Sequence, residues 1–110
     1  MTDGSHPGPR PGPRVVAVVT DLMDRSRLQA AVPGITFTLV DGADVVVCDL
    51  AQGVEPVRRV RREQPRARIV CFGAHVDTDA MDEARAAGAD AVLARSRFFR
   101  DPAAALHDDA

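Results

Sequence analysis

The sequence contains no lysine, no tryptophan and no tyrosine, and four phenylalanines are its only aromatic residues. All 14 basic residues are therefore arginines, a usage that is typical of a GC-rich bacterial genome. Proteins that bind nucleic acid combine a basic surface with aromatic side chains that stack on bases. Because this chain has a net charge of −2 and few aromatic residues, we expect neither nucleic acid nor an anionic membrane as its partner.

Long apolar segments are also missing. No run approaches the roughly 20 residues that span a bilayer, and the first residues lack the apolar core of a signal peptide. The 110 residues, of which 45% are hydrophobic and 27% charged, suffice for one hydrophobic core. The composition thus predicts one soluble globular domain in the cytoplasm.

Signatures of catalysis and of covalent crosslinks are scarce. The sequence has no nucleophile paired with a nearby base and no glycine-rich phosphate loop, so we do not expect an enzyme. Its two cysteines, Cys48 and Cys71, lie inside apolar runs. This placement favours buried, reduced thiols over a disulfide.

The chain begins with a segment rich in proline and glycine. Residues 1–14 hold four of the eight prolines and three of the eight glycines. Such a composition buries little apolar surface, so it predicts a disordered or polyproline-like tail. We therefore divide the chain into this tail, a domain at residues 15–106 and a polar C-terminal tail at residues 107–110.

Beyond the tail, short β-branched runs alternate with helical patterns. This alternation predicts an α/β domain that is doubly wound, with a mostly parallel five-stranded sheet and helices on both faces. The predicted strands are residues 15–20, 35–40, 45–49, 67–72 and 91–94, and the predicted helices are residues 21–31, 55–64, 78–87 and 98–106.

One connection is too short for this pattern. Only residues 41–44 separate the second and third predicted strands, whereas a parallel crossover with its helix needs roughly 10–12 residues. Either a bare loop makes a shortened crossover, which the parallel pattern elsewhere favours, or Asp41 and Gly42 form a hairpin turn and the second strand is antiparallel. In both cases the helix between these strands is missing or reduced, and apolar surface stays open there. We expect a homodimer or a protein partner to cover that surface.

Residues that can bind ligands or metals stand at the ends of four predicted strands. These residues are Thr20, Asp21, Asp49, Gly73, His75 and Arg95. The carboxyl ends of parallel strands meet at one edge of a sheet, where such folds bind their ligands. We therefore expect Asp21, Asp49 and Arg95 to cluster at this edge, with His75 on its rim.

Three stretches resemble the receiver domain of bacterial response regulators in two-component signalling. VVVCDL at residues 45–50 places Asp49 at the phospho-acceptor position, and VVTDLMDRSRL at residues 18–28 places Asp21 in the acidic pair that holds magnesium. RIVCFGAHVDTDAMDEARAAGADAVLARS at residues 68–96 follows the family's fourth strand, helix and fifth strand. The resemblance implies a flavodoxin-like fold and, as partner, a histidine kinase or another signalling protein.

Three positions depart from the family pattern. The family has a second acidic residue, a serine or threonine, and a lysine where this chain has Thr20, Gly73 and Arg95. Phosphoryl transfer depends on positioned groups that neutralise the charge of the transition state, and magnesium prefers charged oxygen ligands. The resemblance therefore implies no cofactor, or only weak magnesium binding at Asp21 and Asp49.

These departures leave three interpretations of function. The one we favour is a degenerate single-domain receiver that signals through protein contacts, without normal phosphorylation of Asp49. The second is a phospho-accepting single-domain response regulator that uses Asp49 in a phosphorelay. The third is a small-ligand or metal-binding module that uses Asp21, Asp49 and His75.

Simpler structural roles also fit these residues. Aspartate is a preferred N-cap, which suits Asp21 at the start of the first helix. Asp49 suits either a cap on nearby amides or a bidentate pair with the planar guanidinium of Arg95. A further group of arginines forms either a solvated face or a docking patch for an acidic partner, namely Arg58, Arg59, Arg61, Arg62, Arg66 and Arg68.

Overall fold

The computed structural model describes residues 13–74 and 76–107. Residues 1–12 of the predicted tail, His75 and residues 108–110 lie outside the described residues. The strands are β1 (Val15–Val18), β2 (Val45–Asp49), β3 (Arg68–Gly73) and β4 (Ala91–Ala94). The helices are α1 (Leu22–Ala31), α2 (Glu55–Glu63), α3 (Thr78–Ala87), α4 (Arg95–Arg100) and α5 (Pro102–Ala105), with a 3-10 turn at Leu50–Gln52. No helix in this described part of the chain is long and apolar enough to cross a membrane.

The four strands form one parallel sheet in the order β1-β2-β3-β4. A single parallel bridge joins Thr36 to Val16, on the edge of β1 that does not pair with β2. The chain therefore winds outward from β1 in both directions. The doubly wound, mostly parallel α/β fold that the sequence predicts is confirmed.

The strand predicted at residues 35–40 is reduced to that one bridge. Ala17 N donates to Thr36 O at 2.8 Å and Thr36 N donates to Val15 O at 3.1 Å. The chain then reaches β2 through an irregular loop, residues 37–44, because so short a connection has no length for a helix. The sheet thus has four strands in the described residues, not five. Since the bridge is parallel, the hairpin alternative is wrong and the shortened crossover is correct.

The closing helix predicted at residues 98–106 is two helices, and the first of them starts earlier. α4 begins at Arg95, directly after β4, and ends at Arg100. Asp101 caps α5, where its Oδ1 accepts from Ala104 N at 3.2 Å, and Pro102 lies in the first turn. Proline has no N–H for the preceding helix to use, so Asp101-Pro102 ends one helix and starts the next.

The core consists of two clusters, one on each face of the sheet. On one face, Leu28 of α1 and Phe98 of α4 pack on sheet residues that include Phe72. On the other face, Val60 of α2 and Ala84 of α3 provide the cover. Strands buried on both faces read as continuous apolar runs, which is why β2 and β3 were recognisable in the sequence.

The loop that replaces the missing helix packs on the same face of the sheet as α2. Ala43 is buried in the same cluster as Val16 and Val46, and Leu39 packs against that cluster. Both valines are fully buried, and of the large apolar side chains in this loop only Val40, at 42% exposure, is open to solvent. The open apolar surface expected here is therefore absent from the described residues. Without that open surface, this loop gives no physical reason to expect a homodimer.

Arg61 connects the loops that precede β3 and β4. Its guanidinium donates to the carbonyl oxygens of Gly88 (2.8 Å), Ala67 (2.9 Å) and Pro65 (3.0 Å), and to Asp90 Oδ2 (2.8 Å). Gly88 has a φ of 124°, and a Cβ there would lie 2.8 Å from the Cβ of Arg61. Three backbone carbonyls thus depend on one side chain for their donors.

We expect Arg61→Ala to lower the free energy of unfolding by about 2–4 kcal/mol, because it leaves part-buried carbonyls without a donor. Urea denaturation measures this loss. The matched control is Arg62→Ala, which removes the neighbouring exposed arginine and should change stability by no more than about 0.5 kcal/mol. Equal effects of the two substitutions would show that the Arg61 contacts contribute little.

Candidate functional site at the carboxyl edge of the sheet

The parallel strands bring most of the predicted site residues to one edge. Thr20 and Asp21 follow β1, Asp49 ends β2, Gly73 ends β3 and Arg95 follows β4. His75, expected on the rim, lies outside the described residues. The functional roles of these residues remain predictions, but their shared edge is a feature of the fold.

Asp21 and Asp49 both act as caps. Asp21 Oδ1 accepts from Asp24 N at 2.9 Å at the start of α1, as expected of an N-cap. Asp49 Oδ1 accepts from Ala51 N at 2.9 Å and so caps the 3-10 turn. Each carboxylate uses one oxygen in these contacts, and Asp21 is exposed while Asp49 is half-buried.

Arg95 pairs with Asp24, a residue that the sequence analysis did not single out. Its Nη1 donates to Asp24 Oδ2 at 2.9 Å and its Nη2 donates to Asp24 Oδ1. The Asp24 side chain is 3% exposed and the Arg95 side chain 39%. Of the two structural roles considered for Asp49, the structure has the cap on a nearby amide and not the pair with Arg95. The available signal was the spacing from Asp24 to Leu28, which places both on the inward face of α1.

Aromatic rings and charges hold the guanidinium in place. Arg95 lies 4.9 Å from the ring centre of Phe99 and 5.6 Å from that of Phe72. The hydrogen bonds with Asp24 raise the pKa of Arg95, burial lowers it, and the charges of Asp24, Asp49 and Asp21 raise it further. Arg95 therefore stays protonated, and the two predicted acids lie within its electrostatic reach.

Gly73 is buried beneath Leu50. A Cβ at Gly73 would lie 3.4 Å from the Cβ of Leu50, 3.5 Å from its Cδ1 and 3.7 Å from Val76 Cγ2. Gly73 therefore supplies no hydroxyl to this edge, and apolar side chains cover it.

The acidic residues of this edge fit magnesium poorly. No group of three or more His, Cys, Asp or Glu side chains within residues 13–74 and 76–107 is arranged to hold a metal ion. Asp24 is engaged by Arg95, and Thr20 carries no charge. Magnesium demands near-octahedral oxygen ligands, so two carboxylates alone offer an incomplete set.

Two small cavities open near this edge. One of about 330 Å³ is lined by Arg27, Ala74, Arg95, Ser96 and Phe99. The other, about 300 Å³ and mostly apolar, is lined by Leu50, Ala51, Gly53, Val54, Gly73, Ala74, Ala80 and Glu83. A wider cleft of about 450 Å³ lies at the opposite edge, away from the strand ends that carry Asp21 and Asp49. Both carboxyl-edge cavities are at the lower end of ligand-pocket sizes.

The two cysteines are buried and form no disulfide, as predicted from their apolar surroundings. Cys48 and Cys71 are register partners on β2 and β3. The hydrogen bond with Cys48 raises the pKa of the Cys71 thiol, and burial raises it further. Since the thiolate is the reactive form, Cys71 is not suited to nucleophilic chemistry.

We expect unequal losses from the two halves of the Asp24–Arg95 pair. Arg95→Met leaves a buried carboxylate without a cation and should lower the free energy of unfolding by about 3–5 kcal/mol. Asp24→Asn leaves Arg95 with access to water, so its loss should be about 1–2 kcal/mol. Urea denaturation measures both.

Two further variants make this comparison decisive. The double variant Asp24→Asn with Arg95→Met should be more stable than Arg95→Met alone, because no charge then stays buried. Arg100→Met, an exposed arginine of the same helix, should have an effect within about 0.5 kcal/mol. A double variant less stable than both single variants would contradict the assigned cause.

No family model and no curated protein matches the chain. Solved structures do match it. A response regulator from Thermotoga maritima has a TM-score of 0.67 at 18% identity, over 87% of this chain and 98% of that one. A LuxR-family two-component response regulator from Aurantimonas sp. SI85-9A1 has a TM-score of 0.68 at 24% identity, over 86% and 82%.

A third match is a response regulator protein from Burkholderia pseudomallei, solved with a phosphorylated aspartic acid, a calcium ion and citrate. Its TM-score is 0.65 at 16% identity, over 84% of this chain and 64% of that one. Identities this low establish the fold and not the activity. The chain has the flavodoxin-like fold of response regulator receiver domains.

Proposed function

We propose that this chain is a degenerate receiver that acts in signalling through protein contacts, neither as an enzyme nor by normal phosphorylation of Asp49. The observation that carries this proposal is the bidentate pair between Arg95 and the buried Asp24. It directs the terminal nitrogens of the guanidinium toward Asp24, although Arg95 stands where the receiver family has its phosphoryl-binding lysine.

The departures at Gly73 and Thr20 also argue against normal phosphorylation of Asp49. A phosphoryl group on Asp49 would find no hydroxyl at Gly73, and Thr20 adds no charge to hold a metal. Removing one preorganised donor from a transition-state site typically costs about 10²–10³ in rate. Three altered positions therefore support a chain that accepts phosphoryl groups poorly.

An exposed apolar pair supports a protein partner at this edge. Leu22 and Met23, in the first turn of α1 directly after Asp21, are 76% and 70% exposed. Methionine and other large apolar side chains are the anchors that protein interfaces use. A histidine kinase or another signalling protein of the cytoplasm is the partner class that this surface and this fold suit.

The phospho-accepting response regulator stays as the second candidate. Asp49 is half-buried, and its cap to Ala51 uses only one carboxylate oxygen. The other oxygen is the group that an incoming phosphoryl would need.

Treatment with acetyl phosphate and Mg²⁺ separates the two candidates. We expect no mass increase by a phosphoryl group in the intact protein, because the groups that neutralise the transition state are altered. We also expect no change in amide NMR shifts around Asp49 on addition of beryllofluoride with Mg²⁺. A modification that appears in the wild type and disappears in Asp49→Asn would establish the second candidate instead.

Magnesium binding gives an independent measurement. We expect Thr20→Asp to bind Mg²⁺ roughly 30-fold more tightly than the wild type, because a carboxylate about 4 Å from a divalent ion contributes about 2 kcal/mol even in water. Isothermal titration calorimetry measures both affinities, with Thr20→Asn as the uncharged control. If the wild type binds Mg²⁺ as tightly as Thr20→Asp does, the edge contains a metal ligand besides Asp21 and Asp49.

A further inference from the structure

Two neighbouring helices on one face of the sheet carry opposite charge. Exposed arginines form a basic stripe on and just after α2, made of Arg59, Arg62 and Arg66. Exposed carboxylates form an acidic stripe on α3, made of Asp79, Asp82 and Glu83. Since α2 and α3 bury their inward residues in the same cluster, the two stripes lie side by side on one surface.

The charges of these stripes are not neutralised within the described residues. The ion pairs of α2 are those of Arg58 with Glu55 at 2.9 Å and of Arg61 with Asp90 at 2.8 Å. No hydrogen bond or ion pair within residues 13–74 and 76–107 engages the side chains of the basic or the acidic stripe. Both stripes are therefore available to a partner.

The arrangement restricts what that partner is. A partner of one charge sign would be attracted by one stripe and repelled by the other about a helix diameter away. A second copy of this chain carries both signs at the same spacing. The surface thus favours self-association over a purely acidic or purely basic partner.

The topology supplies the symmetry that such a contact needs. α2 and α3 each connect neighbouring parallel strands on the same face, so the two helices run in the same direction. A two-fold axis parallel to them and between them places α2 of one copy over α3 of the other, and the reverse. Two-fold interfaces of this self-complementary kind are the commonest in homo-oligomers.

We propose that the chain forms a homodimer through α2 and α3, in which the basic stripe of each copy faces the acidic stripe of the other. The outward positions contain no large apolar anchor, and exposed ion pairs contribute little individually. The dimer is therefore weak and salt-sensitive, and it forms whether or not Asp49 accepts a phosphoryl group.

Charge reversal tests this dimer with two variants of the same chain. Arg59→Glu with Arg62→Glu makes the face predominantly acidic and keeps only Arg66 of the basic stripe, and Asp79→Arg with Asp82→Arg makes it predominantly basic and keeps only Glu83 of the acidic stripe. Sedimentation velocity at low salt, up to about 1 mM protein, should show a monomer–dimer equilibrium for the wild type. Each variant alone should dissociate at least tenfold more readily, and 1 M NaCl should have the same effect on the wild type.

A mixture of the two charge-reversal variants provides the decisive measurement. Equal amounts of the acidic-face and basic-face variants should associate with each other, which also shows that both are folded. Arg100→Glu, a reversal on α4 at the other face of the sheet, should leave the wild-type equilibrium unchanged. A wild type that is monomeric at every concentration, a dimer that survives either reversal, or a mixture that stays monomeric would each overturn the proposal.

Discussion

A carboxylate that is 3% exposed needs a cation beside it, and Asp24 is such a carboxylate. Without a partner, an ionised group at that depth costs several kcal/mol of stability. Arg95 supplies the partner from 71 positions later in the chain. Its planar guanidinium contacts both oxygens at once and lies against the ring of Phe99, which a lysine ammonium would do less well. The pair thereby ties α1 to the junction of β4 and α4.

This requirement limits the chemistry at the same edge. Arg95 directs its two terminal nitrogens toward the oxygens of Asp24, so satisfying the buried charge competes with presenting a cation to Asp49. Leu50 over Gly73 has a similar effect, because it puts apolar surface at the end of β3. At the same edge, Asp21 and Asp49 cap the start of α1 and the 3-10 turn.

Much of the fold was predictable because its signals are local. Apolar β-branched runs marked β2 and β3, and Asp21 marked the start of α1 through the preference of aspartate for N-caps. Three features were not predictable in this way. The strand predicted at residues 35–40 forms only one bridge to β1, because extended pairing there depends on the length of the crossover that follows. Pairing of Arg95 with Asp24 and not Asp49 depends on which carboxylate α1 turns inward, a tertiary property that a strand-end pattern does not contain.

The connection between Thr36 and β2 has no helix, as predicted, but it does not leave the expected apolar surface open. The crossover is bare, as its length requires, but Leu39 and Ala43 fold back onto the sheet and bury Val16 and Val46. A short irregular loop thus does the covering that a helix does elsewhere in the sheet. Among the described residues, the most exposed apolar side chains, Leu22 and Met23, lie on α1, and the opposite charges lie on α2 and α3. Because α1 packs on one face of the sheet and α2 and α3 on the other, contact through one surface leaves the other open. The proposed contacts with a signalling partner and with a second copy of the chain therefore use separate surfaces and are compatible with each other.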